Sequence, residues 1–359
     1  MKKTKTVRFK ETLGIDIGTH SVKMVHLKKL HDGFKLLNYE IRPTVPQGIE
    51  YIPSDLRPER FAPVLIEMLK TLHISPKSVK HLVTSIGGDN TSIKQIKTIF
   101  LPDDELESAL FFEAKKHIPI SGSDMVLDFQ VINVEEKTNN MNILLAASTK
   151  ETLNEHTNVL VSAGLAPNIV DIDSLAVVNS FALNAFVEEG VYVLLNIGAH
   201  RTNMVIWGPD SKLFARDIPY GGYHFTRDIM RKRQMEWEDA ENYKLEWGLN
   251  DKPGAGDVTT ISMLDISEKS TEDAIVEEVR RALRFYVKEA GNSDYRKVYI
   301  MGGSAKLKGL VEYVQEKVIS LPKSLFPLST SKCLKSFRIR RIPNSPWPLV
   351  WRCGWNRGG

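Results

Sequence analysis

Leu13-Gly14-Ile15-Asp16-Ile17-Gly18-Thr19-His20-Ser21 is an apolar strand that ends in an acid, turns at a glycine beside hydroxyl residues, and re-enters a second apolar strand from Val22 to Leu27. Leu195-Asn196-Ile197-Gly198-Ala199-His200-Arg201-Thr202 repeats the device and continues into a strand from Asn203 to Trp207. Glycine at such a turn lets backbone N–H groups approach an anion closely, and the acid or amide beside it can hold a metal-bound water. The pair points to a two-lobed clamp on the phosphates of a nucleotide.

Outward from the first turn, Leu13 to Ile17, Lys23 to Leu27 and Phe34 to Ile41 read as consecutive strands with short connections, one of them Asp32-Gly33. A link containing Pro43, Pro46 and Pro53 leads to a helix from Arg60 to Leu72, apolar at Phe61, Val64, Leu65, Met68 and Leu72, and then to a strand from Val79 to Ile86. A strand from Ser92 to Phe100 and a helix from about Asp104 to His117 follow. Asp103 or Asp104 would cap that helix and Ile118-Pro119 would stop it. Strands from Met125 to Val134 and from Asn142 to Ser148 precede a helix from Lys150 to Ala163 that ends at Gly164, where a left-handed residue is comfortable. These pieces make a β-α-β-β-α unit with the character of an inserted module. The strand-turn-strand pattern restarts at Val191, with a third strand from Lys212 to Ile218. After it come a charged helical region from Phe225 to Trp247, a polar loop around Asp251 to Asp257, a helix from Ser270 to Ala290, a strand from Lys297 to Met301, the turn Gly302-Gly303-Ser304 and a helix from near Lys306. The expected architecture is two similar α/β halves with a cleft between them.

The 359 residues suffice for about two domains, and 42% hydrophobic with 26% charged residues is ordinary globular composition. The net charge of +4 is unevenly placed, because Leu321 to Gly359 holds eight Lys or Arg and no acid. The body is therefore slightly acidic, which argues against nucleic acid as a partner. Both cysteines, Cys333 and Cys353, lie in that same tail, so no disulfide framework braces the core and a reducing cytoplasm is expected. The basic start from Met1 to Lys10 lacks a following apolar stretch and reads as a solvated arm, and no apolar run approaches the roughly 20 residues of a membrane span.

Several segments carry a resemblance in order from about Leu13 to Val318. They are Gly14-Ile15-Asp16-Ile17-Gly18, Leu101-Pro102, Glu113 to Ile120, Asp128-Phe129-Gln130-Val131, Ala163-Gly164-Leu165 and Val170-Asp171-Ile172-Asp173. Further on stand Asn196-Ile197-Gly198-Ala199, Arg216 to Gly222, Ala240-Glu241-Asn242-Tyr243-Lys244 and Met301 to Leu307. On these the chain resembles the actin-like ATPase superfamily and, more closely, the PilM family of type IV pilus assembly, to which FtsA is related. The resemblance implies an α/β fold of the actin-like, two-domain kind, with duplicated ribonuclease H-like domains and an inserted β-α-β-β-α subdomain. The implied boundaries are 11–90 and 166–188 for the first domain, 91–165 for the insert, and 189–320 for the second domain with its own insertion at about 225–292. An atypical basic tail occupies 321–359.

The same resemblance implies ATP with Mg²⁺. Asp16, Gly18, Thr19, His20 and Ser21 would meet phosphates, Asp16 holding Mg²⁺ through water. Lys23 reads either as a phosphate contact or as an edge-strand charge. Gly198, Ala199 and Thr202 belong to the second loop, with His200 a solvated turn residue. Asn196 stands where the superfamily usually has Asp, and an amide orients water without accepting its proton, so holding nucleotide is favoured over hydrolysing it. Gly221 and Gly222 are expected at the cleft or in a simple turn. Glu241 and Lys244 match ribose and adenine contacts, or form a surface ion pair. Gly302, Gly303, Ser304 and Lys306 would offer amides to an anion at a helix start.

The implied partner is the cytoplasmic N-terminal segment of PilN, a bitopic membrane protein, received between the insert and the first domain. A pilus assembly ATPase is a second implied partner, with indirect association at the inner face of the cytoplasmic membrane. Leu106, Leu110, Phe111 and Ala114 read as core, and the run Arg227, Arg231, Lys232, Arg233 with Glu236, Glu238 and Asp239 as a solvated helix. An FtsA-like scaffold and a small-molecule kinase are the rival functions. The tail, with Trp347, Trp351 and Trp355 among prolines, reads as an aberrant terminus or as a cationic aromatic membrane anchor.

Overall fold

The computed structural model describes residues 10–31, 33–51, 53, 57–118, 125–185, 187–250, 269–291 and 294–319. The expected arm at 1–9, Asp32 of the hairpin, Pro119, the polar loop at 251–257 and the tail at 321–359 lie outside the described residues. The described residues divide into two units, one drawn from 10–44 and 57–185, the other from 45–53 and 187–319.

The first unit contains β1 (Glu11–Ile17), β2 (Ser21–Leu30), β3 (Gly33–Pro43), α1 (Pro58–Thr71), β4 (Leu82–Ile86), β5 (Thr91–Ile99) and α2 (Asp103–His117). It continues with β6 (Met125–Glu135), β7 (Asn140–Thr149), α3 (Lys150–Ser162), β8 (Ile169–Ile172) and α4 (Asp173–Asn184). Its main sheet runs β3-β2-β1-β4-β8, with the first three strands antiparallel and β1, β4 and β8 parallel. Alternation along β1 and β2 sends Leu13, Ile15, Val22 and Met24 to one face, where they pack with Phe61, Leu65 and Met68 of α1. Each such side chain removed from water contributes about 1.5–3 kcal/mol.

Val159, Leu160, Ala163 and Leu165 join this same core. The packing therefore sets α3 with the first sheet, whereas the sequence reading grouped it with the insert. Thr149 caps α3 by accepting the Thr152 N–H at 3.2 Å, and Gly164 follows it at φ +76°. A separate sheet, ordered β5-β7-β6, packs on α2 through Ile96, Leu106, Leu110, Ala114, Met141, Ile143 and Leu145. The stripe on α2 is thus core, as its spacing implies. Helix α2 begins at Asp103 with Pro102 in the capping position, so the cap expected at Asp103 or Asp104 falls instead on a residue without a capping side chain.

The second unit contains β9 (Val191–Ile197), β10 (Thr202–Trp207), β11 (Phe214–Ile218), α5 (Gly222–Arg233), α6 (Trp237–Trp247), α7 (Thr271–Ala290), β12 (Tyr295–Met301) and α8 (Leu310–Ile319). The sheet order β11-β10-β9-β12, with β9 and β12 parallel, repeats the order of β3-β2-β1-β4. Ile275, Val279, Leu283 and Tyr286 of α7 cover Val193, Leu195, Met204 and Ile206. The helical region expected from Phe225 to Trp247 is two helices, broken where Gln234 adopts a left-handed φ of 52°. The helix expected near Lys306 is a short 3-10 turn, Gly303–Lys306, with α8 beginning only at Leu310.

Residues 45–53, read from sequence as part of the first domain, pack with the second unit. The Tyr51 ring stands edge-on to Tyr223 and Trp237, with centroids 5.5 and 6.0 Å away. Glu50 accepts hydrogen bonds from the Tyr223 hydroxyl at 2.9 Å and from Arg227 at 3.0 Å. Among the described residues no helix is long and apolar enough to cross a membrane.

Candidate functional site

In the first unit the β1–β2 turn is closed by the Gly18 N–H donating to Ser21 O at 3.1 Å. Antiparallel register sets Asp16 opposite Lys23, and their side chains form an ion pair at 3.1 Å. A Cβ on Gly18 would lie 2.9 Å from Lys23 Nζ, so glycine leaves room for that lysine to lie across the turn. The Thr19 carbonyl accepts from Thr44 Oγ1 at 3.0 Å and from Arg60, while His20 O accepts the Thr44 N–H at 2.9 Å. The turn is thereby held from Thr44, just after β3, and from α1, with Asp16 and His20 exposed. Beneath it, buried His156 meets Thr84 Oγ1 at 2.7 Å. Burial holds the His156 imidazole down at about 4, against a small opposing pull from Asp16.

In the second unit three glycine-bearing turns close on one another. Gly198 N–H donates to Arg201 O at 2.8 Å, and Gly198 O accepts from the Gly222 N–H at 3.0 Å and from Ser304 Oγ at 2.9 Å. Ala199 O accepts the Tyr223 N–H at 2.6 Å. The β9–β10 turn, the start of α5 and the turn after β12 thus share one hydrogen-bond set. Gly302 has φ +90°, and a Cβ there would strike the Ile197 carbonyl and lie 2.7 Å from Asn196 Oδ1. A Cβ on Gly221 would lie 2.8 Å from Gly198 O, and one on Gly222 2.7 Å from Ser304 Oγ. Gly303, by contrast, has nothing within 4 Å of the position its Cβ would take. Gly303 is exposed, so the backbone of this turn is accessible from solvent while the glycines around it are packed tightly.

Glu241 and Lys244 join this assembly from α6. Lys244 Nζ donates to Glu241 Oε2 and Thr226 Oγ1, both at 2.7 Å, and to Gly222 O at 3.1 Å. Thr226 in turn donates to Glu241 at 2.6 Å. The pair is therefore a three-residue knot under the start of α5, not an isolated surface ion pair. Burial lowers the Lys244 ammonium from its ordinary range, and Glu241 opposes that shift.

Some expected contacts are redirected. Thr202 is fully buried and donates to Tyr220 O at 2.8 Å, so its hydroxyl fastens β10 to the chain entering α5. Ser304 spends its hydroxyl on Gly198. Lys306 is exposed at the end of the 3-10 turn. His200, expected to be solvated, stacks on His224 with centroids 5.3 Å apart. His224 Nδ1 accepts the Gly221 N–H at 3.2 Å, and burial lowers the pKa of its ring. Thr226, His224 and Tyr223 went unread in the sequence; the only signal was their position in the first turn and a half after Gly221-Gly222. Among the described residues no group of three or more His, Cys, Asp or Glu could hold a metal ion.

The repeated sheet order, with a three-stranded insert in the first unit and turns of like form at the same place in both sheets, defines the actin-like fold. A solved structure titled PilM-PilN type IV pilus biogenesis complex has this fold, with a TM-score of 0.69, 23% identity, and coverage of 90% of this chain and 89% of that one. EutJ from Carboxydothermus hydrogenoformans (TM-score 0.45, 14% identity, 88% and 84% covered) and MreB5 of Spiroplasma citri bound to ADP (TM-score 0.43, 12% identity, 90% and 92% covered) are more distant. The family model described as type IV pilus assembly protein PilM matches residues 14–330. The chain belongs to that PilM family.

Proposed function

We propose that this chain is an ATP-holding scaffold of type IV pilus assembly that receives the cytoplasmic N-terminal segment of PilN and so links a membrane platform to the assembly motor at the inner face of the membrane. The observation that carries the nucleotide reading is the closure of the Gly198, Gly222 and Gly302 turns into one backbone framework with open space at Gly303. The 3-10 turn Gly303–Lys306, exposed at Gly303, offers backbone amides suited to a polyphosphate, while the first amides of α5 and its cap are donated to His224, Gly198 and Ala199 and, with Lys244 beneath, hold the framework around that turn. Gly198, Ala199, Gly302 and Gly303 would border the phosphates in this unit, and Glu241 with Lys244 the sugar side. Asp16, Gly18, Thr19, His20 and Ser21 form the matching turn of the first unit. For Mg²⁺ the exposed Asp16 offers one carboxylate, enough for a cation that takes its other partners from phosphate and water. Bound ATP supplies differential affinity for the domain arrangements of the chain, which is what a switchable scaffold needs.

Asn196 lies against Gly302 and carries an amide in the place suited to a catalytic carboxylate. It can orient water but takes no proton, so turnover is slow or absent. The family and the titled complex of a structural relative support PilN as the partner. Calorimetric titration of ATP with Mg²⁺ into the chain tests the reading, with Lys244→Met as the control variant. Saturable binding, weakened on the order of tenfold in the variant, is expected. Equal affinity in both would remove Lys244 from the site, and no binding by the parent chain would remove the site.

A further inference from the structure

Strand β3 ends the first unit's main sheet and, among the described residues, pairs with β2 alone. Its outer row of N–H and C=O groups is what an added strand bonds. Register with β2 sets Phe34 opposite Lys29, Leu36 opposite Leu27, Tyr39 opposite Val25 and Ile41 opposite Lys23. Those partners alternate along β2, so the four β3 residues share one face. They are 38%, 45%, 67% and 63% exposed, an apolar row running the length of an open edge. The register skips Leu37, which is the extra residue of a bulge.

We propose that this edge pairs with the β3 edge of a second copy of the chain, antiparallel about a two-fold axis between residues 37 and 38. Phe34 then faces Ile41 of the second copy and Leu36 faces its Tyr39, while on the opposite face of the sheet Lys35 meets Glu40. Each pair occurs twice. In an unbulged strand such an axis sets odd residues only against odd and even only against even, since opposed side chains must share a face. The extra residue at Leu37 removes that constraint and lets 34 meet 41 and 35 meet 40. Apolar residues fall on apolar ones and a cation on an anion, and this self-complementarity is what points to a second copy as the occupant. The contact is confined to one strand edge, so the dimer belongs with weak, concentration-dependent associations.

Sedimentation velocity on the full chain over rising concentration tests the proposal, with Lys35→Glu and Glu40→Lys examined singly and mixed. The parent chain is expected to form a reversible dimer. Each single variant places like charges opposite each other twice and weakens the dimer on the order of tenfold. An equimolar mixture of the two variants restores opposite charges at both places and regains the parent affinity, a recovery that misfolding cannot imitate. Within its own copy Glu40 is ion-paired with Arg42 through one carboxylate oxygen, and Arg42 keeps Glu67 as a partner at 2.7 Å when Glu40 is replaced. A chain that stays monomeric throughout, single variants that dimerise like the parent, or a mixture that fails to recover would each overturn the proposal. Monomers whose β3 amides are protected from exchange by an added PilN segment would give the edge to that partner and overturn it equally.

Discussion

Gly302 carries the tightest backbone constraint of the candidate site, with φ at +90° and the Ile197 carbonyl where a Cβ would go. Gly302→Ala is expected to destabilise the second unit by about 1–3 kcal/mol in denaturant unfolding, through strain and steric conflict together. Gly303→Ala has neither problem, and its stability is expected to stay within about 0.5 kcal/mol of the parent. Two buried groups of the first unit set opposing pH dependences. Burial raises the Asp171 carboxyl to about 7, so the stability it contributes is full below pH 4 and is lost as pH rises toward 7. His156, lowered to about 4, contributes stability that is present above pH 6.5 and is lost as pH falls toward 4. Asp171→Asn should therefore gain on the order of 3 kcal/mol over the parent at pH 8 and nothing at pH 4, measured by chemical unfolding at both. At this scale the sequence showed Asp16, Asn196 and the glycines, because their positions follow from strand ends and turns. It did not show that Thr202 points inward or that His200 stacks on His224, since those depend on contacts with residues 18 and 24 positions away.

The elements most legible in sequence were those with clean periodicity, such as β1, β2 and α7, whose apolar positions recur at two or at three and four residues. Helix α4 escaped because Leu175, Ala176, Val177 and Val178 run together and leave no polar face to reveal a period. The break between α5 and α6 escaped because neither glycine nor proline marks Gln234, which takes the left-handed conformation itself. Helix α3 was found and grouped with the insert, since sequence order joins it to β7, while its apolar face meets α1. Leu160→Ala is therefore expected to cost about 2–5 kcal/mol and to speed amide exchange in α1, β1 and β2. Faster exchange confined to β5, β6 and β7 would return α3 to the insert.

Across the molecule, duplication was readable from two strand-turn-strand segments far apart in the chain, and the two sheet orders bear it out. The attachment of residues 45–53 to the second unit was not readable, because it rests on Tyr51 meeting Tyr223 and Trp237 across more than a hundred intervening residues. A scaffold whose nucleotide and partner favour the same arrangement must show reciprocal coupling, the factor by which one alters the other's affinity being the same in both directions. The most direct measurement is a titration of ATP with Mg²⁺ into the chain, repeated with the cytoplasmic segment of PilN at saturation. Binding in both titrations, with affinities that differ by about 5-fold or more, is the expected result. Binding with identical affinity would leave a scaffold without nucleotide control, and absence of ATP binding in both would contradict the central claim that the paired turns hold a nucleotide.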